Sequence, residues 1–347
     1  MFYAARSGGI RTYLDEKRRF AAATGAFEHH LIVPGRRERH DGSHHELRSL
    51  QLAASNGYRI PFGAGALKET LRRLRPDVVI FHDPFWRPLS VTRAAHRLGA
   101  QVVAVHHASP ALNAAGIPGP DAVYLPPLRR IYHHAYEHVD AVMSTVDSEP
   151  DSGRSASIKL RFGLHPAFRP GPAARRGEHL LYVGRLSLEK RICDLLAAMA
   201  GAGWDRPLVL VGDGPARSAI ELRARRLGIF PLIEFRSFVS DRRVLARLYR
   251  EAACVIAPGT YETFGLAVLE AAASGASVAA CASTPAALLA GPIVQRFAAK
   301  DPPGLARAVE RAIATPIDVT AAAALGASMS WERVFEAELH DLKQLCR

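Results

Sequence analysis

Two glutamates in the C-terminal third of the chain, Glu262 and Glu270, are spaced so that they could share one ligand. Between them, Thr263 is suited to cap a helix, and the pattern predicts a helix from Phe264 to Ser274 that ends at Gly275. At about 1.5 Å per residue, Glu270 would lie roughly 10 Å along this helix. That is about the reach from a diphosphate to the hydroxyls of an attached ribose, so the spacing favours a nucleotide-linked ligand.

The start of the same predicted helix adds hydrogen-bond donors for an anion. The amide N–H groups of Phe264, Gly265 and Leu266 would have no partner inside the helix, and helix starts favour negative charge. The alternative is an ordinary amphipathic helix with two surface glutamates. Other segments of the chain must therefore decide between the two interpretations.

A second loop supplies two cations. Arg185 and Lys190 lie five positions apart, just after a predicted strand at Leu180–Val183. Arginine can bind a diphosphate through a bidentate fork, and lysine can bind it as a point charge. The alternative is a structural ion pair of one cation with Glu189 or Asp194.

Two glycine-containing turns lie where a parallel sheet would present its loops. Gly8 and Gly9 precede a predicted helix, and Gly212–Pro215 follows a predicted strand. Glycine lets the backbone approach a phosphate or a sugar closely. Only Phe2–Ala4 precedes the first turn, although a strand in this place usually has about five residues. Either the first strand is short or the chain begins downstream of its natural start.

The composition is that of a globular protein in a reducing compartment. The chain has 347 residues, of which 48% are hydrophobic and 22% charged, and this length allows two domains with a core each. Its four cysteines form no Cys-x-x-Cys pair, which favours the cytoplasm. No signal peptide is visible. The uncharged stretch 271–294 is interrupted by Gly275, Pro285 and Pro292, which favours buried structure over a membrane span.

Short apolar runs alternate with helical patterns, which is typical of βαβ units and predicts an α/β fold with parallel sheets. Strands are predicted at 30–33, 78–81, 101–105, 141–144, 180–183, 208–211, 254–257 and 276–280. Besides the helix at 264–274, helices are predicted at 9–24, 66–74, 90–98, 127–138, 192–201, 215–227, 241–251 and 330–345. A charged linker rich in glycine and proline, at 162–177, marks the predicted domain break.

In their order and spacing these segments resemble the retaining glycosyltransferases of family 4, which have the two-Rossmann-domain B fold. The likeness covers nearly the whole chain: the Gly8-Gly9 loop, the linker Phe162–Pro170, Gly-Arg-x4-Lys at Gly184–Lys190, Gly-Asp-Gly-Pro at Gly212–Pro215, Glu-x7-Glu at Glu262–Glu270 and the final helix at Trp331-Glu332. The resemblance implies two Rossmann-like domains that face each other across a cleft. These are an acceptor-binding domain at 1–165, a donor-binding domain at 166–327, and a last helix at 328–347 that packs back on the first domain.

The resemblance also implies roles for the residues above. Arg185 and Lys190 would neutralise the diphosphate of a nucleotide-sugar donor, Glu262 would contact the donor sugar, and Glu270 would accept hydrogen bonds from the ribose hydroxyls. The remaining residues implied to bind the donor are Gly8, Gly9, Gly184, Thr263, Phe264, Gly265 and Leu266.

A histidine is implied after the fourth strand of the N-terminal domain, within Val105–Pro110. His106 directly follows the apolar run and is the predicted hydrogen-bond partner of the transferred sugar. His107 is the alternative at that position, and a loop histidine that caps the backbone is the structural alternative for either.

Cations and helix amides suit the expected chemistry, because negative charge grows on the departing diphosphate. No Asp-x-Asp motif occurs, so we expect neither a metal nor another cofactor. By the resemblance, the reaction occurs on one face of the sugar with retention of configuration, and the leaving oxygen helps to deprotonate the acceptor. No nucleophile is assigned.

Four departures from the family pattern leave the donor base and sugar open. Arg191 replaces a glycine after Lys190, and Ser237 replaces the usual glycine of the strand after the Gly-Asp-Gly-Pro helix. Ala276–Val278 stands where Pro-Val is common, and Cys281–Pro285 replaces a glycine-rich continuation.

The resulting prediction is a cytoplasmic hexosyltransferase that uses a UDP- or GDP-sugar and a hydroxyl acceptor. The net charge of +12 and basic runs such as Lys17–Arg19 and Arg129-Arg130 suggest a lipid-linked or anionic acceptor and peripheral contact at the anionic inner membrane face, although such runs are more often solvated helix faces. Segment 124–138 could contact the bilayer, but a helix packed on its own domain is the favoured interpretation. No nucleic-acid-binding motif is found, so nucleic acid is not an expected partner. The alternatives are a nucleotide-sugar epimerase or phosphorylase on the same architecture, or a non-catalytic basic binding module.

Overall fold

The computed structural model of the protein describes residues 9–51, 59–117, 119–145, 155–171 and 177–347. The predicted first strand at Phe2–Ala4 and the predicted site residue Gly8 lie outside the described residues. The chain divides into two compact units. The first unit is Met1–Pro110, Tyr124–Gly163 and Trp331–Arg347, and the second is Ala111–Val123 and Leu164–Ser330. The predicted boundaries place segment 111–123 in the first domain, whereas its contacts group it with the second unit.

The first unit is built on parallel strands with an added antiparallel ladder. Its described strands are β1 (Leu31–Gly35), β2 (Arg39–Asp41), β3 (His44–Gln51), β4 (Arg59–Pro61), β5 (Val78–Phe81), β6 (Gln101–His106), β7 (Ala141–Ser144) and β8 (Ala156–Lys159). Strands β5 to β8 form a parallel sheet in chain order. Strand β1 pairs in parallel with β3, and β3 also pairs antiparallel with β2 and β4. The helices α1 (Gly9–Thr24), α2 (Gly65–Leu74) and α3 (Pro88–His96) belong to this unit, and α4 (Pro110–Ala115) and α5 (Asp121–Tyr136) lie at the two ends of segment 111–123.

The second unit has a six-stranded sheet in which every pair of neighbours is parallel. Its strands are β9 (Leu180–Val183), β10 (Leu208–Val211), β11 (Ile233–Arg236), β12 (Cys254–Ala257), β13 (Val278–Cys281) and β14 (Val294–Phe297). They lie in the order β11-β10-β9-β12-β13-β14. The helices are α6 (Ile192–Gly201), α7 (Arg217–Arg226), α8 (Arg242–Glu251), α9 (Leu266–Ala273), α10 (Pro285–Leu289), α11 (Pro302–Ala314) and α12 (Val319–Ser328). The central strands are continuous apolar runs because helices cover both faces of a parallel sheet.

The predicted α/β class with parallel sheets is confirmed. The uncharged stretch 271–294 contains the end of α9, strand β13 and α10. Within the part of the chain that the structure describes, none of the helices combines the length and the apolar character that a membrane span requires.

The last helix, α13 (Trp331–Leu345), is fixed on α1 by a buried polar cluster in the first unit. Glu338 accepts a hydrogen bond from the Tyr13 hydroxyl at 2.5 Å and pairs through its other oxygen with the Lys17 ammonium. All three side chains are buried. The ring of Phe335 packs beside Tyr13 and stacks on Trp331. Lys17 is therefore not part of a solvated basic face, as a run of three cations would suggest.

We expect Glu338→Gln to destabilise the protein by about 3 kcal/mol, because the change leaves the Lys17 ammonium buried without a counter-charge. Urea unfolding measures the effect. Glu336→Gln, an exposed position on the same helix, is the control and should change stability by less than about 0.5 kcal/mol. The double variant Lys17→Met/Glu338→Gln removes the buried charge and should recover much of the loss. Equal stabilities of the Glu338→Gln and Glu336→Gln variants would contradict this account.

Candidate active site

The predicted donor residues cluster where the strand order of the second unit reverses. Strand β9 is the first strand in this sheet; β10 and β11 follow on one side of it, and β12 to β14 on the other. In open parallel sheets, ligands bind at the carboxyl ends of the strands beside such a reversal. The loop after β9 carries Arg185 and Lys190, and the loop after β12 carries Glu262. The topology therefore brings these two loops to the same edge of the sheet.

The loop after β9 is held against the loop after β10 by direct backbone contacts. The Leu186 amide donates to the Asp213 carbonyl, and the Leu186 carbonyl accepts from the Ala216 amide. A Cβ at Gly212 would lie 2.0 Å from the Gly184 carbonyl oxygen, and one at Gly214 would lie 2.2 Å from that of Leu186. Glycine is required at both positions because no side chain fits between the two backbones. The Gly-Asp-Gly-Pro turn thus supports the loop that contains the two predicted cations.

An ion pair joins the loop after β9 to the loop after β12. The Lys190 Nζ lies 2.6 Å from Oε2 of Glu262, and both side chains are largely buried. For Lys190, the structural alternative of an ion pair with Glu189 or Asp194 was wrong: Glu189 accepts from the Ser187 hydroxyl at 2.5 Å, and Asp194 pairs with Arg191. The pair holds Lys190, the predicted partner of the diphosphate, beside Glu262, the predicted partner of the donor sugar.

Helix α9 begins two residues later than predicted. Its N-cap is Gly265, with φ of 86°, and no side chain caps the helix; the assignment of Thr263 as N-cap was wrong. Phe264, predicted to be the first helical residue, lies outside the helix with a buried side chain. The first turn therefore presents the amides of Leu266 and Ala267. The helix ends at Ala273, one residue before the predicted end, and the predicted left-handed stop at Gly275 is confirmed by its φ of 76°.

Glu270 is closer to the helix start than predicted. Measured from Leu266, it lies about 6 Å along the axis instead of roughly 10 Å. Its carboxylate accepts from the Tyr249 hydroxyl at 2.9 Å, and its other oxygen lies 3.8 Å from a guanidinium nitrogen of Arg242. Burial raises the pKa of Glu270 to about 7, against the opposing effects of Arg242 and Tyr249. The group is therefore poised to gain or lose a proton near neutral pH.

Arg191, which departs from the family pattern, adopts the backbone conformation that a glycine would favour. Its φ is 54° and its ψ 31°, in the left-handed region. Its guanidinium makes two hydrogen bonds to the Asp194 carboxylate, at 2.9 and 3.0 Å. The ion pair offsets the cost of this conformation, so the departure leaves the path of the loop intact. Arg191 and Glu189 also line a pocket of about 300 Å³ together with Ile117, so segment 111–123 borders this loop.

The two candidate histidines differ in accessibility within the first unit. His106 ends β6 and is half-buried; its Nδ1 lies 3.2 Å from the Tyr136 hydroxyl. His107 is buried, and its Nε2 lies 2.6 Å from Nδ1 of His82, with the two rings stacked. Burial lowers the pKa of His106 to about 4 and that of His107 to about 3, so both are neutral near pH 7. A half-buried neutral imidazole can donate to or accept from a sugar hydroxyl, which favours His106 over His107.

Gly9, the other predicted residue of the first unit, is the first residue of α1. The predicted residues of the second unit lie on the two loops at the reversal of strand order or at the start of the helix that follows β12. They include Gly184, Arg185, Lys190, Glu262, Thr263, Gly265 and Leu266. Among the described residues, no group of three histidine, cysteine, aspartate or glutamate side chains is arranged to hold a metal ion.

Sequence reasoning missed three residues that position the site. Tyr249 and Arg242 hold Glu270 from helix α8, and the Tyr182 hydroxyl donates to the Arg185 carbonyl at 2.8 Å. Both tyrosines are buried. A buried tyrosine hydroxyl needs a hydrogen-bond partner, which is the signal that could have pointed to them. The identity of each partner follows only from the fold.

Comparisons with known proteins agree with these motifs. A family model described as Glycosyltransferase Family 4 matches residues 7–149, and one described as Glycosyl transferases group 1 matches residues 177–315. The GDP-mannose-dependent alpha-(1-6)-phosphatidylinositol dimannoside mannosyltransferase of Mycobacterium tuberculosis is 34% identical over 298 residues, which covers 79% of this chain and 76% of the relative. The chain belongs to glycosyltransferase family 4. It is a hexosyltransferase, so the alternative of a non-catalytic binding module is wrong.

Solved structures show the same fold. Sucrose-phosphate synthase from Thermosynechococcus elongatus aligns with a TM-score of 0.73 at 22% identity, covering 98% of this chain and 94% of that chain. A glycosyltransferase from Rickettsia africae aligns with a TM-score of 0.72 at 15% identity, covering 99% and 97%. The predicted glycosyltransferase B fold is confirmed.

We expect Gly265→Ala to destabilise the protein by more than the positive φ alone requires. A Cβ there would lie 2.4 Å from Cγ2 of Thr284, so a steric clash adds to the backbone cost. Gly203 is the matched control, because its φ is 64° and a Cβ added there would meet nothing within 4 Å. Thermal unfolding of Gly203→Ala should show a loss of about 1 kcal/mol. Gly265→Ala should lose clearly more stability. Adding Thr284→Ser to the Gly265→Ala variant should restore part of the difference, because serine lacks Cγ2. Equal losses of stability in the two alanine variants would contradict the clash.

The raised pKa of Glu270 predicts that the stability of the folded protein decreases as the pH rises toward neutral. The usual pKa of this carboxyl group is 4.5, and in the folded protein it is about 7. Between these two pH values the folded protein keeps Glu270 protonated, whereas the unfolded chain has already lost the proton. The wild type should therefore lose stability relative to Glu270→Gln as pH rises through this window, by about 3 kcal/mol in total. Urea unfolding at pH 5 and pH 8 tests this. Glu310→Gln, an exposed control, should show no such pH dependence; the same pH slope in wild type and Glu270→Gln would refute the prediction.

Proposed function

We propose that the enzyme transfers a mannosyl residue from GDP-mannose to a hydroxyl of a lipid-linked glycan, with retention of configuration and without a metal ion. The observation that carries the proposal is the Lys190–Glu262 ion pair at the reversal of strand order, with the start of α9 beside it. The donor base and sugar are chosen by similarity to the GDP-mannose-dependent relative, which is 34% identical over most of both chains.

In the proposed reaction, the bond between C1 of the sugar and the diphosphate oxygen breaks while the acceptor oxygen bonds to C1 on the same face. The acceptor proton passes to the leaving phosphate oxygen. Negative charge grows on the diphosphate, where Arg185, Lys190 and the amides of Leu266 and Ala267 stabilise it. Because these donors are already held in place, they rearrange little as the charge develops. The protein's own groups can therefore stabilise the charge on the diphosphate.

The two glutamates act on different parts of the donor. Glu262 accepts from hydroxyls of the sugar, and its ion pair with Lys190 holds its carboxylate in place. Glu270 accepts from the ribose hydroxyls, with Tyr249 and Arg242 fixing its two oxygens. In the first unit, neutral His106 serves as a hydrogen-bond partner of the transferred sugar.

The acceptor and the membrane contact are proposed from similarity and from one exposed helix face. The relative's name specifies a phosphatidylinositol dimannoside. In α5, Tyr132 and Tyr136 are buried, whereas Arg130 and Ile131, which lie on another side of the helix, are exposed, as is Arg129. This mixture of cations and apolar groups suits the surface of an anionic membrane. Flotation with no preference for vesicles that contain anionic lipid would contradict the membrane contact.

The kinetic test begins with the donor. GDP-mannose should raise the unfolding temperature of the wild type more than UDP-glucose or ADP-glucose does, because binding to the folded state adds to its stability. Lys190→Ala and Arg185→Ala should each lower kcat by a factor of about 100 or more. Glu270→Gln should mainly raise KM for the donor. Arg226→Ala, an exposed arginine on α7, is the control.

Two results would overturn the proposal. One is a kcat for Lys190→Ala and Arg185→Ala equal to that of Arg226→Ala, which would remove the site assignment. The other is conversion of the donor sugar without any acceptor, which would favour the nucleotide-sugar epimerase. NMR of the glycosylated product decides retention, since the new bond should have the anomeric configuration of the donor.

A further inference from the structure

A pocket in the first unit is lined by basic side chains from three helices. It has a volume of about 380 Å³ and lies between α2, α3 and α5. Its basic residues are Lys68, Arg87, Arg93, Arg97 and His134. The other lining residues are small or apolar, and no carboxylate is among the described residues that line it. None of these residues belongs to the proposed donor site.

The positive charges of this pocket are poorly compensated. His134 pairs with Glu137 at 3.2 Å. Lys68, Arg87, Arg93 and Arg97 form no ion pair with another residue in the described part of the chain, although nearby surface cations such as Arg72 do. Arg93 and Arg97 are four residues apart on one helix, where like charges repel by a few tenths of a kcal/mol. A concave surface of a single sign concentrates its potential, so the arrangement attracts an anion.

We infer that this pocket binds a phosphate group. Three guanidinium groups and an ammonium offer many donors in different directions, which suits a tetrahedral, multiply charged oxyanion better than a planar carboxylate. The Ser90 hydroxyl adds a neutral donor. A nucleic acid would need a longer track of charge with aromatic side chains for its bases, and no aromatic ring other than that of His134 lines the pocket among the described residues.

The phosphate has two chemical sources, a lipid headgroup or a soluble phosphomonoester. His134 connects the pocket to an exposed face of α5, because Ile131, Arg130 and Pro127 precede it at helical spacings of three, four and seven residues. All three are exposed, and Ile131 is 41% exposed. An apolar and cationic face beside a phosphate pocket suits a lipid headgroup, so the test separates this source from the soluble one.

The soluble arm measures binding of inorganic phosphate and of glycerol 3-phosphate by calorimetry at constant ionic strength. Arg93→Gln/Arg97→Gln should weaken binding at least tenfold. The matched control is Arg307→Gln/Arg311→Gln, which removes two exposed arginines with the same spacing on α11, outside the pocket. Thermal unfolding of both double variants is measured alongside, so that a loss of binding is separated from a loss of folding.

The vesicle arm measures flotation with phosphatidylcholine vesicles that contain or lack phosphatidic acid. A lipid source predicts that the Arg93→Gln/Arg97→Gln variant loses flotation and that glycerol 3-phosphate competes with the vesicles. If the phosphate belongs to a soluble compound, the Arg93→Gln/Arg97→Gln variant loses phosphate binding in calorimetry but floats with vesicles as the wild type does. The inference is overturned if neither arm depends on Arg93 and Arg97, or if the Arg307→Gln/Arg311→Gln control loses as much binding. GDP-mannose binding, measured on the same variants, is expected to be unchanged, so failure of this inference and failure of the donor assignment are distinguishable.

Discussion

The ion pair between Lys190 and Glu262 is the interaction on which the arrangement of the proposed donor site depends. The two residues lie 72 positions apart in sequence and on loops that follow different strands. Breaking such a largely buried pair by removing one partner leaves the other charge poorly solvated, which is costly. The pair therefore holds the two loops in register at the edge of the sheet. Under the proposed assignment, a diphosphate bound to Lys190 would share this cation with Glu262, which would couple donor binding to the position of the two loops.

Backbone contacts make this constraint rigid. The carbonyl oxygens of Gly184 and Leu186 lie 2.0 and 2.2 Å from where Cβ atoms of Gly212 and Gly214 would be, so the loop after β9 packs directly on the turn after β10. On the other side, the hydroxyl of Ser283 donates to the Thr260 carbonyl in the loop after β12. Neither contact depends on a long, flexible side chain, because the first is between two backbone segments and the second uses the short side chain of Ser283. Lys190 and Glu262 therefore project from supports that move little.

The sequence predicted the regular elements best where burial alone determines them. The bounds of β5, β7, β9, β10 and β12 were correct because each is an apolar run bounded by polar or turn-forming residues. The helix bounds of α1 and α6 were also correct. Strands β2, β3 and β4 were missed, because they are rich in histidine and arginine and their antiparallel ladder is only partly buried. Charged, half-exposed segments carry little periodic signal.

The candidate site was predictable as a set of residues but not as a set of contacts. The Glu-x7-Glu and Gly-Arg-x4-Lys motifs located the two loops at the reversal of strand order. The partner of Lys190 and the support of Glu270 by Tyr249 depend on tertiary packing, which spacing does not contain. The start of α9 was wrong for the same reason. Thr263 is a good local signal for a cap, but the N-cap is Gly265, which has a left-handed backbone and lies too close to Thr284 for a side chain to fit.

The burial of Glu338 against Tyr13 and Lys17 has a consequence for the order in which the protein acquires its structure during translation. The first unit includes helix α13, which follows the second unit in the chain, so its core is incomplete until residues 331–345 have left the ribosome. Apart from segment 111–123, the second unit is continuous in sequence and ends at Ser330, before α13. Nascent chains stalled before Trp331 should thus contain a folded second unit, while the first unit still lacks its helix α13.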